Sequence, residues 1–174
     1  MFKVSGKYKN EKVEAAINIA NSDVFKQVLV KKLREVSSYD MTDAKPDYIH
    51  RKLWALLNNE NVNVIIYYPR NRWSKALAYF TSSKPNDINI NGYMLNRSVN
   101  SIVGTFYHEV THLVDNRDMI YDYGHADNSS NGKGETAPYK IGTLAKQASE
   151  VVNYKSDPVV IKKPWYKRLF RWLF

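Results

Sequence analysis

A chain of 174 residues, 44% hydrophobic and 25% charged, is long enough to bury one core and short for more than one domain. It contains no cysteine, which excludes disulfides and thiolate metal sites, so a bound metal must rest on nitrogen and oxygen donors. The net charge of +9 first suggests a polyanionic partner, but five cations (Lys162, Lys163, Lys167, Arg168, Arg171) fall in the last fourteen positions. They leave about +4 for the rest, a mild excess that a solvated surface carries, and nucleic acid is disfavoured as a partner.

The first twenty residues alternate. Phe2 and Val4 share one side, and Val13, Ala15, Ile17 and Ile19 form a period-two row around Lys9-Asn10-Glu11, which predicts a β-hairpin. Ser22 is placed to cap a helix carrying Val24, Phe25, Val28, Leu29, Leu33 and Val36 at helical spacing. A second helix opens at Pro46, with Ile49, Leu53, Leu56 and Leu57 as its buried stripe and His50 as a structural histidine. Three strand-like runs follow: Val62 to Tyr68, Ala76 to Thr81, and Ile88 to Leu95, the last broken at Gly92. Ser98 opens a helix whose core face is Val99, Ile102, Val103, Phe106, Val110, Leu113 and Val114. A polar loop from Asn116 to Gly134 leads to a final helix over Thr136 to Val152. Helices flanking a short mixed sheet make the expected fold class α+β, with a domain over 1–157 and a separate tail over 158–174.

The chemistry concentrates on the Ser98 helix. His108 and His112 are four apart, so both imidazoles leave the same face one turn apart, at a spacing that lets two nitrogens reach one zinc ion. Glu109, next to the first of them, is placed to take a proton from water beside the metal. Gly104 costs about 1 kcal/mol relative to alanine inside a helix, which points to close approach of another backbone or of substrate. Asp115 lies on the same face and is a candidate to orient an imidazole, while Tyr123 and Tyr139 are candidates to stabilise an oxyanion.

The stretch Tyr107-His108-Glu109-Val110-Thr111-His112-Leu113 resembles the active-site helix of the zincin metallopeptidases. The resemblance implies a zincin-like single domain, Zn2+ on three protein ligands, Glu109 as general base, and an edge strand that holds an extended peptide. The run Ala76 to Thr81 is the choice for that strand. The metzincin continuation is missing, because Asp115 and Asp118 stand where its glycine and histidine would be. Two third ligands stay open. His125, thirteen positions after His112 and preceded by Gly124, resembles the Gly-His element of SprT-like zincins and is preferred. Glu135, at the start of the last helix, resembles the distant glutamate of gluzincins and is the alternative, although their Asn-Glu or Glu-Glu helix pattern is missing and a glutamate opening a helix is also accounted for by the N-terminal dipole.

The expected activity is that of a zinc peptidase, a hydrolase acting on peptide or protein substrates. A catalytically silent zincin-like binding module is the alternative, working through its tail. Residues 161–174 interleave cations with Trp165, Tyr166, Phe170, Trp172 and Phe174, a mixture suited to an anionic membrane surface or a partner protein. The opening residues are too polar for a secretory signal and no apolar run spans a bilayer, so the expected location is cytoplasmic, with peripheral membrane attachment through the tail.

Overall fold

The computed structural model describes residues 1–124 and 133–156. Among them lie five helices and a four-stranded mixed sheet, an α+β fold. The order is β1 (Phe2–Ser5), α1 (Glu11–Asn21), α2 (Asp23–Arg34), α3 (Pro46–Asn59), β2 (Val62–Tyr67), β3 (Ala78–Phe80), β4 (Asp87–Asn91), α4 (Val99–Arg117) and α5 (Ala137–Ser156). The tail over 158–174 lies outside the described residues, and so does His125. None of the described helices is long and apolar enough to cross a membrane.

The strands are ordered β1-β2-β4-β3. β1 runs parallel to β2 with Phe2 opposite Val62, and β2 runs parallel to β4 with Val64 opposite Ile88. β3 closes one edge antiparallel to β4, with Ala78 opposite Ile90 and Phe80 opposite Ile88. Along β2 the side chains alternate, and Val62, Val64 and Ile66 are buried. The run expected to continue to Leu95 stops as a strand at Asn91, and Gly92–Met94 forms a 3-10 turn.

The N-terminal hairpin does not form. Residues 11–21 are helical, and the buried set is Val13, Ala16, Ile17 and Ala20, spaced by three and four. The period-two row was a coincidence of Ala15 and Ile19, which are only half-buried, with two true core residues. Asn10, expected in a turn, is the N-cap: its Oδ1 accepts from Lys12 and Val13 N–H, and Glu11 and Glu14 complement the first turn. β1 instead finds its partner sixty residues on, in β2.

α4 is the hub. Its inner face buries Ile102, Val103, Phe106, Tyr107, Val110, Leu113 and Val114. The Phe2 ring lies 5.4 Å from Phe106 and 5.5 Å from Tyr107, and Phe25 of α2 lies 5.4 Å from Tyr107. Each such ring contributes on the order of 1.5–3 kcal/mol by leaving water. At the far end Arg117 donates to Glu60, at 2.7 Å, and to Pro85 O and Asn86, tying the helix terminus to the loops flanking β2 and β4. One hydrophobic cluster runs continuously from Phe2 to Ala148.

Candidate active site

Ser98 caps α4 through its Oγ, which accepts from Ser101 N–H at 3.2 Å, so the helix starts in a fixed register. With the apolar stripe turned inward, the opposite face of α4 forms the floor of a cleft of about 1110 Å³. Ser101, Gly104, Thr105, His108, Glu109, His112 and Asp115 line that floor. One wall is the strand β3 with its approach from Lys75, the other is α5 with Tyr139, Gly142, Thr143 and Lys146, and the loop after α4 closes one end.

α4 and α5 meet backbone to backbone. A methyl group added at Gly104 would stand 2.7 Å from Gly142 O, and one added at Gly142 would stand 2.9 Å from Gly104 O and 3.1 Å from His108 Cβ. The close approach of another backbone thus accounts for the glycine that helix propensity disfavours. Its partner Gly142 was not anticipated. The signal available was the series of small residues in the last helix, Ala137, Gly142, Ala145 and Ala148, three of them fully buried alanines.

The two imidazoles converge. His108 Nε2 and His112 Nε2 are 3.2 Å apart, with rings 4.8 Å between centroids and inclined at 80°. Two nitrogens each bound at 2.0–2.1 Å on a tetrahedral ion would lie about 3.3 Å apart, so the pair has the bite of a zinc site. Tyr139 from α5 stands edge-on to His108, 4.5 Å between centroids, and lines the cleft.

Glu109 is only 6% exposed. Burial pushes its carboxyl up to about 7, and the hydrogen bond it accepts from the Phe80 backbone N–H pulls the other way. That bond ties the candidate general base to the edge strand, a link between β3 and α4 that no local sequence pattern encodes. Asp115 also faces the cleft, accepting the Tyr123 N–H at 2.9 Å. Burial pushes its carboxyl up to about 6, with Asp122 and Asp118 adding repulsion.

Other candidates fall elsewhere. The Tyr123 ring is fully buried, its hydroxyl donates to Asp118 Oδ2 at 2.7 Å, and it lies outside the cleft lining of the described residues. Glu135 accepts from Lys140 Nζ at 2.7 Å and is exposed, away from the cleft. Among the described residues no third histidine or carboxylate joins His108 and His112 in a metal-holding group. The preferred third donor, His125, lies outside the described residues; Gly124 before it takes φ 75°, in the left-handed region that glycine adopts without strain. His50 is 7% exposed with its Nε2 2.6 Å from the Tyr39 hydroxyl, a satisfied interior histidine whose burial lowers its pKa.

Arg97 was not foreseen. It lines the cleft, its Nη1 donates to Thr105 Oγ1 at 2.6 Å, and its buried Nε and Nη2 have no partner among the described residues. Comparison of the chain with protein-family models, with curated proteins and with solved structures finds no match.

Proposed function

We propose that the chain is a zinc-dependent peptidase of the zincin type, with His108 and His112 as metal ligands, His125 completing the set, and Glu109 as general base. The observation that carries this reading is the 3.2 Å separation of the two Nε2 atoms on a cleft floor, beside the buried carboxyl of Glu109. A zinc ion held there would supply Lewis-acid chemistry at the scissile carbonyl.

The chain's own residues account for the remaining steps. β3 is a sheet edge on the cleft wall, so an extended peptide laid along it gains main-chain hydrogen bonds. Glu109 takes a proton from a water molecule as that water's oxygen adds to the carbonyl carbon. When the C–N bond breaks, Glu109 returns the proton to the leaving amine. Burial raises the proton affinity of this carboxyl, and a cation bound at the two histidines would act against that rise. Tyr139, against His108 on the opposite wall, is the candidate for steadying the oxyanion.

The test pairs metal analysis with hydrolysis of a peptide library followed by mass spectrometry. Glu109→Gln is expected to lower cleavage by about 10²–10⁴-fold with zinc content unchanged. Undiminished cleavage by that variant would remove Glu109 from the chemistry and this reading with it.

A further inference from the structure

The sequence spreads its body cations thinly, but the fold collects them. β1, β2 and β4 are parallel, so the segments leaving their C-terminal ends all emerge at one edge of the sheet. Those segments are residues 6–10, 68–77 and 92–97, and they contain Lys7, Lys9, Arg70, Arg72, Lys75 and Arg97 without one acidic residue. Their proximity is direct. The Tyr8 and Tyr68 rings are 5.0 Å apart and nearly perpendicular, Tyr68 and Tyr93 are again 5.0 Å apart, and Arg72 lies 5.4 Å over Tyr93. Lys12 of α1 adds a further cation, donating to Leu95 O and Arg97 O.

These groups face solvent. Tyr8, Tyr68 and Tyr93 are 38%, 44% and 41% exposed, and Trp73 is 89% exposed. Lys7, Lys9, Arg70, Arg72 and Lys75 are exposed as well, and no ion pair joins any of them to a described carboxylate. Glu11 and Glu14 lie beside Lys9 on the first turn of α1, and Glu109 and Asp115 share the cleft that Lys75 and Arg97 line.

We propose that this surface binds single-stranded nucleic acid. The proposal does not require the peptidase reading: Lys75 and Arg97 also line the cleft, but Arg70, Arg72 and Trp73, on which the test turns, do not. Charge complementarity requires an anionic partner, and the aromatics narrow the choice. The nearly free Trp73 ring offers a base a stacking face, while the tyrosines, packed edge to face with Lys7 over Tyr8 and Arg72 over Tyr93, hold cations where phosphates can meet them. Unlike the tail, which carries Leu169, Phe170, Leu173 and Phe174 beside its cations, the three segments expose only Leu77 among their large aliphatic side chains, Met94 being half-buried and Leu95 buried, so little of this surface would enter a lipid layer.

The test uses the full chain and fluorescein-labelled single-stranded DNA and RNA of about 16 nucleotides, a length set by common site sizes, read by anisotropy over a salt series. Affinity is expected to fall with salt, and Arg70→Ala/Arg72→Ala is expected to reduce the log–log slope by about 1.4, two phosphates' worth. Trp73→Ala is expected to weaken binding about five-fold or more through lost stacking. DNA and RNA of matched sequence are expected to bind alike. Serine at Lys162, Lys163, Lys167, Arg168 and Arg171 separates the tail from the patch, and the patch variants should lose affinity on either background. The proposal is overturned if oligonucleotides do not bind, if the patch variants bind as the parent does, or if polyglutamate or anionic vesicles compete as well as the oligonucleotide.

Discussion

His50 on α3 and the pair His108–His112 on α4 both belong to amphipathic helices, yet their surroundings differ in kind. α3 turns its imidazole into the interior, where one neutral hydroxyl at 2.6 Å satisfies it. α4 turns two imidazoles outward onto a cleft and brings their Nε2 atoms within 3.2 Å of each other. Two N–H groups aimed at one another repel, so that second geometry accommodates one shared proton or one cation, never two protons. A lone interior histidine is thus accounted for by packing, whereas the facing pair invites an ion.

The comparison breaks most readily at the metal. His112→Ala should abolish stoichiometric zinc binding and peptide hydrolysis, while His50→Ala should leave zinc content unchanged and cost about 2–3 kcal/mol of stability, through a cavity and a stranded tyrosine hydroxyl. Metal analysis and urea titration of both variants decide it, and zinc loss from the His50 variant would erase the distinction. Next in size is Gly104→Val, which forces the α4 and α5 backbones apart and is expected to cost about 1–3 kcal/mol, with lower hydrolysis because His108 packs at the same crossing. Thermal melts and kcat/KM on one preparation test that. Tyr39→Phe should cost about 1 kcal/mol and leave activity intact, which denaturant midpoints will show.

The smallest effect is a pH dependence. Burial holds the His50 pKa below its ordinary value of 6.5, so the folded state favours the neutral ring. The stability it contributes is present above 6.5 and is lost as pH falls through the lower folded value. Urea titrations of metal-free protein between those limits should show this decline, and His50→Ala should flatten it.

Much of the scaffold is legible from local pattern. Ser22, Pro46 and Ser98 mark helix starts because a cap or a fixed φ acts within one turn, and each apolar stripe then declares its own period. α1 was misread because alanine supports either period weakly: Ala16 and Ala20 carry its core face, while Ala15 and Ile19 imitate a strand. The HExxH half of the site is local and readable for the same reason. What joins it to the rest is not local. The Phe80 N–H reaching Glu109, Gly142 meeting Gly104, and the cations gathered from three strand ends depend on pairings between segments far apart in the chain, where no short-range preference leaves a mark.

The brevity of β3 bears on how the molecule avoids its own kind. An open sheet edge able to hold a stretched peptide would hold the same edge of a second copy just as readily, and long flat borders of this sort seed aggregates. Here the border offers three residues, Ala78–Phe80, with Lys75 before it and Lys84 after it. So short and charge-flanked a border leaves little backbone for a second copy to pair with.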